Sequence, residues 1–322
     1  VSEPPRPALE APATGPGAGA LSPRGRRGPT GEGPLGIVAG SGAFPGAVAD
    51  AALAEGRKVI LFLIQGFADP ALERYEHVWF RLGSLGKVAA MGRARGIRDL
   101  VMVGGLTRPR LRDIGFDFTM LRLLPRIARL FRGGDNHLLS GVLELVQEQG
   151  FHLVGAHEVA PRLLLPEGVL GSCRPSPEDE ADMAKGLAVI RTLGPFDVGQ
   201  AVIVADGWVV AVEAAEGTDQ MLARFGEMRR SGRIRLAKRQ GVLVKAPKPG
   251  QDRRIDLPSL GPHTVERAAA VGLAGIAFEA RGAIVPDVET LVAAADAADL
   301  YVVGMAAGAA ARTAGSGADG GN

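Results

Sequence analysis

From residue 35 to residue 149 the chain alternates short apolar runs with longer segments whose apolar positions recur at helical spacing. Residues 35–40 (LGIVAG), 58–64 and 99–103 are aliphatic runs that read as buried strands, and 78–81 is a shorter candidate. Between the first two, Ala47, Val48, Ala51 and Ala52 fall on one helical face; residues 86–95 read as a second helix. Helical stretches are also expected over 119–131, broken around Pro125, and over 136–149, with Asp135 as N-cap. One more strand is read at 151–154, followed by Ala156-His157-Glu158, where strand alternation would put His157 and Glu158 on opposite faces, so His157 is read as structural or substrate-lining. A strand–helix alternation of this kind predicts an α/β fold with a Rossmann-like parallel sheet.

The pattern changes after a Pro- and Gly-bearing crossing at 162–175. Ser176 precedes Pro177 and three acids, the signature of a helix start, and Met183, Leu187 and Ile190 give that helix an apolar face. Strands at 201–205 and 208–213 flank Asp206-Gly207, a strong hairpin signal. Thr218 is expected to cap a helix carrying Met221, Leu222 and Phe225. Residues 229–239 form a basic segment read as a solvated helix face, and 241–245 read as a strand. The second half is therefore expected to be mixed α/β. The expected organisation is a disordered tail at 1–33, a Rossmann-like domain at 34–163, a catalytic domain at 164–305 and a disordered tail at 306–322.

Composition narrows the function. Of 322 residues, 46% are hydrophobic, enough for two cores, while aromatics are only 5%, so aliphatic side chains must do the packing. A net charge of +2 argues against a dedicated nucleic-acid binder. One cysteine, Cys173, precludes an internal disulfide and suits a reducing, cytoplasmic compartment. No run of eighteen apolar residues is present to cross a membrane, and the first residues lack the pattern of a signal peptide.

The candidate chemistry is concentrated between Val210 and Gly261. Glu213, Glu216, Asp219, Asp252 and Asp256 can bind a divalent cation; Lys245, Lys248, Arg253 and Arg254 can bind phosphate. If residues 252–256 are extended, Asp252, Arg254 and Asp256 share one face, which suits a Mg²⁺-bound phosphate. Lys245 and Lys248 repel one another unless an anion or solvent intervenes. Gly217 lets backbone approach a ligand closely. Nearer the start, Gly40-Ser41-Gly42 between a strand and a helix offers backbone N–H groups to a phosphate. The dinucleotide fingerprint itself fails, because Pro45 stands at the third glycine and Gln65 rather than an acid ends the second strand.

These residues carry a resemblance. GIVAGSGAFP, FADP at 67–70, GAHEV at 155–159, DVGQ at 197–200, AVEAAEGTD at 211–219, KAPKPGQDRRIDLPSLG at 245–261 and GLAGIAFEA at 272–280 resemble, in order, the LpxI family of UDP-2,3-diacylglucosamine pyrophosphatases. The resemblance spans residues 35 to about 305. It implies hydrolysis of the diphosphate of UDP-2,3-diacylglucosamine to lipid X (2,3-diacylglucosamine 1-phosphate) and UMP in lipid A biosynthesis. It also implies a divalent cation, normally Mg²⁺, two domains with substrate between them, and a homodimer. With such a substrate, peripheral contact with the cytoplasmic face of the inner membrane is expected. The family's catalytic aspartate maps onto Asp256. Asp252 and Lys245 are assigned with it to catalysis, and Asp252 and Asp256 to the metal. Gly40, Ser41, Gly42, Gln200, Thr218, Asp219, Lys248, Gln251 and Arg254 are assigned to substrate. One departure is Gly134-Asp135-Asn136, where relatives tend to carry two acids after glycine. From the residues alone, a nucleotide-sugar oxidoreductase or transferase and a non-catalytic nucleotide- or lipid-binding protein stay open.

Overall fold

The computed structural model describes residues 31, 33–106, 135–237, 239–249, 251–255 and 257–306. The helix expected at 119–131, Gly134, Asp256 and nearly all of both expected tails lie outside the described residues.

In the first half, β1 (Leu35–Ala39), β2 (Val59–Ile64), β3 (His77–Phe80), β4 (Asp99–Val103) and β5 (His152–Leu153) form one sheet in the order β3-β2-β1-β4-β5. Every described pairing in it is parallel; Leu35, for example, lies opposite Val59 on one side and Asp99 on the other. Helices α1 (Phe44–Ala54), α2 (Leu85–Ala94), α3 (Asp135–Glu148) and the single turn α4 (Ala156–Val159) belong to this half. The sheet has two apolar faces because its strands are nearly continuous aliphatic runs. Ile37, Leu61, Leu63 and Val101 pack on the α1 side, and Phe62, Leu100, Phe80 and Phe151 on the other. The α/β expectation holds here strand for strand, with boundaries shifted by a residue or two.

The second half contains β6 (Gly168–Leu170), α5 (Pro177–Leu193), β7 (Ala201–Ala205), β8 (Trp208–Val212), α6 (Gly217–Arg230) and β9 (Val242–Lys245). It continues with α7 (Pro262–Ala270), β10 (Gly275–Glu279), α8 (Val288–Ala297) and β11 (Tyr301–Met305). Its sheet runs β6-β11-β10-β9-β7-β8 and is mixed: β9, β10 and β11 are parallel, while β6 and β7 pair antiparallel at either side. The β7–β8 hairpin turns at Asp206 (φ 54°) and Gly207 (φ 72°), the left-handed pair that an Asp-Gly turn supplies. Ser176 caps α5 as expected, its hydroxyl accepting from the Asp179 N–H at 3.1 Å while Asp179 accepts from the Ser176 N–H at 3.0 Å.

Three expectations for local structure change. The basic helix at 229–239 ends at Arg230, and the Arg229 guanidinium turns back onto the Gly272 and Ala237 carbonyls. The crossing at 162–175 contains strand β6, and Cys173 packs partly buried against the core beside it. His157 and Glu158 sit on a helical turn, so the strand rule that separated them does not apply. No described helix is long and apolar enough to cross a membrane.

Candidate functional site

The order of the first sheet sends the chain one way from β1 and the other way from β4. The crevice beyond the C-terminal ends of these two strands is thus a topological switch point, where open α/β sheets bind ligands. The chain leaving β1 is drawn hard against the chain leaving β4. Gly40 N–H donates to the Val103 carbonyl at 2.9 Å, and Ser41 and Gly105 exchange backbone hydrogen bonds at 2.9 Å in each direction. A Cβ on Gly40 would lie 2.5 Å from the Gly105 oxygen and 2.9 Å from the Gly104 carbonyl carbon, so only glycine fits. Two of the N–H groups expected to face phosphate, those of Gly40 and Ser41, are therefore engaged by the β4 loop. Gly42, at φ +92°, turns the chain into α1.

The loop after β9 runs into this crevice. Ile255 packs against the Phe62–Phe151 side of the first core, and Leu257 against the Ile37–Val154 side. These two residues bracket Asp256 in sequence, and Asp256 itself lies outside the described residues. The loop leaves along a ribbon in which Ile284 N–H donates to the Pro258 carbonyl at 2.9 Å and Leu260 N–H to the Ile284 carbonyl at 3.1 Å. The same ribbon holds the connection between the halves, with Val285 N–H donating to the Leu163 carbonyl at 2.7 Å. A cavity of about 220 Å³ results, lined by Phe44, Gly104, Gly105, Arg253, Arg254 and Ile255 among others.

Residues 253–255 form a turn, closed by Ile255 N–H donating to the Asp252 carbonyl at 3.1 Å. The extended ladder expected of Asp252 and Arg254 is thus replaced by a direct fork. Arg254 Nε donates to Asp252 Oδ1 at 2.9 Å and Nη2 to Oδ2 at 2.6 Å, and the Arg254 N–H adds a bond to Oδ1 at 3.0 Å. These bonds from Arg254 hold the Asp252 carboxyl below the usual carboxylate range. Among the described residues no three His, Cys, Asp or Glu converge as a metal-binding group.

Sequence reasoning set His157 aside as structural or substrate-lining; the structure places it on the helical turn α4. Burial first of all lowers the His157 pKa, and its Nδ1 is buried without a hydrogen-bond partner among the described residues. Glu158 accepts from the Gly155 N–H at 2.9 Å, and its charge acts on Arg254. The GAHEV motif carried the signal, and the helical turn it forms borders the cavity through Ala156.

The other expected residues form two groups around the end of β9. Lys245 Nζ donates to Thr218 Oγ1 at 3.0 Å, Thr218 donates to Glu213 Oε1 at 3.0 Å, and Glu213 Oε2 accepts from the Gln200 N–H at 3.0 Å. Thr218 is inside α6 rather than its cap, which is Glu216. Lys248, almost wholly buried, is ion-paired with Asp197, and Gln251 accepts from the Lys248 N–H at 2.8 Å. The two ammonium groups that would repel are thus each given a separate oxygen partner. Asp219 is the exception: half-exposed, it faces His263 and Arg267 of α7 at 3.9 and 3.5 Å.

The family model of the LpxI N-terminal domain matches residues 34–163, and that of the LpxI C-terminal domain matches residues 166–303. The chain belongs to the LpxI family. It is 42% identical over 271 residues to the UDP-2,3-diacylglucosamine pyrophosphatase LpxI of Caulobacter vibrioides, covering 84% of this chain and 97% of that one. In LpxI terms, the crevice is bordered by Gly104, Gly105 and the 155–159 turn of the N-terminal domain, and entered by the 246–261 loop of the C-terminal domain.

Proposed function

We propose that the protein hydrolyses the diphosphate of UDP-2,3-diacylglucosamine, releasing UMP and 2,3-diacylglucosamine 1-phosphate (lipid X), as a step of lipid A biosynthesis. The observation that carries this reading is the seating of the cationic loop 246–261 on the switch-point crevice, in a chain so similar to a pyrophosphatase with this substrate. A diphosphate ester gathers negative charge on its oxygens as it cleaves, and cations fixed in a water-poor crevice stabilise that charge. Arg254 presents a guanidinium already oriented by Asp252, and Lys245 and Lys248 are held at the strand end by Thr218 and Asp197. Their positions are set before substrate arrives, which limits the reorganisation needed in the reaction. Gln200, Gln251 and, at the end of the Gly40–Gly42 turn, Gly42 support the polar end of the substrate, while Gly40 and Ser41 fix the turn against the β4 loop, and Asp219 belongs to the rim.

Asp252 and Asp256 are the residues we assign to Mg²⁺. One or two carboxylates completed by phosphate oxygens and water is the usual donor set for this ion, so the loop suits it without an all-protein cage. When bound, Mg²⁺ supplies a Lewis acid for the diphosphate oxygens. Asp256 orients the attacking water or accepts its proton. We also read the enzyme as a cytoplasmic homodimer that meets the inner membrane peripherally, because its substrate carries two acyl chains. Phosphorus NMR of a completed reaction tests the bond cleaved. Two phosphate monoesters in equal amount are expected. UDP with free sugar, binding without turnover, or a need for NAD(P)H would each overturn the reading.

A further inference from the structure

We propose that Glu213, at the exit of the β7–β8 hairpin, is a positioning residue for Lys245: it fixes the Thr218 hydroxyl on which the Lys245 ammonium rests. The kinetic part of the inference rests on the hydrolase reading. Strand pairing brings the two residues together. Lys245, the last residue of β9, stands opposite Ala201 of β7, and from the other side Glu213 N–H donates to the Ala201 carbonyl at 2.9 Å. Ala201 packs in one core with Leu243, Ala211 and the α6 residues Met221 and Phe225. Period-two alternation therefore puts Lys245, two residues beyond Leu243, and Glu213, two beyond Ala211, on the face that α6 covers. Ala201 between them carries only a methyl group. Thr218, in the first turn of α6, bridges across it: Lys245 Nζ donates to Thr218 Oγ1 at 3.0 Å, and Thr218 Oγ1 donates to Glu213 Oε1 at 3.0 Å.

The chemistry of the three groups fixes the direction of both bonds. An ammonium only donates and a carboxylate only accepts, while a hydroxyl has one proton and two lone pairs. Glu213 takes the Thr218 proton, so the lone pairs of Oγ1 are left for Lys245. Glu213 is itself held in two further ways. Its Oε2 accepts from the Gln200 N–H at 3.0 Å. The loop before β7 also closes on its main chain, where a Cβ on Gly199 would collide with the Glu213 carbonyl oxygen. An amide of the same shape cannot replace this carboxylate. Gln at 213 offers one accepting atom where two are needed. Either the Gln200 N–H then faces an NH₂ group, or the Thr218 proton turns toward the Lys245 ammonium. Lys245 is thereby released from the place where its charge meets the cleaving diphosphate, and a displaced cation is felt in rate more than in binding.

The test is a double-mutant cycle on the full-length protein with Glu213→Gln and Lys245→Met. Glu213→Gln alone is expected to lower kcat by at least about fivefold with KM changed less than about threefold. In the Lys245→Met background the same substitution is expected to lower kcat by less than about twofold, because the group it positions is already gone. Thr218→Val, similar in shape but without the hydroxyl, should show the same loss and the same lack of additivity. Effects of Glu213→Gln and Lys245→Met that multiply overturn the proposal, and so does a normal kcat in Glu213→Gln. Should Glu213→Gln fail to fold, the cycle with Thr218→Val decides in the same way. Competitive acetylation of the lysines, read by mass spectrometry, gives a measurement independent of turnover. Lys245 should react at least about threefold faster in Glu213→Gln than in wild type, with Lys185 of α5 as internal reference. Unchanged reactivity overturns the proposal, whether or not the protein turns over this substrate. Lack of turnover by wild type would count against the hydrolase reading alone.

Discussion

Gly40→Ala probes the switch point with one methyl group. The added Cβ would meet the Gly105 oxygen at 2.5 Å and the Gly104 carbonyl carbon at 2.9 Å, both backbone atoms with no rotamer to escape into. Relief requires the β1 and β4 exits to part, straining the paired Ser41–Gly105 hydrogen bonds of 2.9 Å. Overpacking of this kind costs about 1–3 kcal/mol. For a chain of this size each kcal/mol lowers Tm by roughly 2–4 °C, so a loss of roughly 2–12 °C is expected. Gly104 and Gly105 also line the cavity with Arg254, so parting them moves one wall of the site. A fall in kcat/KM of at least about tenfold should accompany the loss of stability. Differential scanning fluorimetry and steady-state UMP release on the same preparation read both effects. Gly42→Ala serves as a comparison: its Cβ would meet nothing within 4 Å, but φ is +92°, so it pays backbone strain alone. A Gly40→Ala enzyme with wild-type Tm and turnover would show that the two strand exits do not define the site.

Exhaustive chelation should abolish turnover and Mg²⁺ should restore it; full activity in EDTA would remove the metal from the mechanism. Lys245→Met is expected to lower kcat/KM by about ten- to a hundredfold, since it deletes a cation fixed at the end of β9 by the Thr218 hydroxyl; steady-state kinetics checks it, and an unchanged kcat/KM would remove Lys245 from the site. The third concerns pH. Arg254 lowers the folded-state pKa of Asp252, so the stability of that fork is present above the unfolded carboxylate value of about 3.9 and is lost as pH falls through the lower folded value. The Tm difference between wild type and Arg254→Ala should therefore be full at pH 7 and shrink on acidification below about pH 4; a gap that does not narrow would mean the fork is not the source of stability.

Much of the fold was legible because its strands are nearly pure aliphatic runs. Residues 99–103 and 201–205 were bounded to the residue, since their apolar runs stop at polar or glycine neighbours, Gly104 after the first and Gln200 and Asp206 around the second. The hairpin followed from Asp206-Gly207, whose backbone angles few other pairs adopt. What failed was short-range conformation in the functional segments. Thr218 looked like a cap, yet its hydroxyl links Lys245 to Glu213, partners distant in sequence. Residues 252–255 looked extended because charges alternate, but Asp252 closes a turn on Arg254, a bond that alternation cannot signal. His157 was set aside by a strand rule applied to a helical turn. Local pattern reports burial well, and it reports poorly which polar side chains meet across a crevice between two domains.

The most direct measurement is UMP released from UDP-2,3-diacylglucosamine by the purified protein in Mg²⁺, set beside Asp256→Ala under the same conditions. The wild type should release UMP and the lipid phosphate in equal amounts. The variant should bind substrate but show a kcat lower by at least roughly a hundredfold, the scale of a lost acid–base or electrostatic group. No UMP from the wild type, or a stable Asp256→Ala protein with near-normal kcat, would contradict a hydrolase centred on the 246–261 loop.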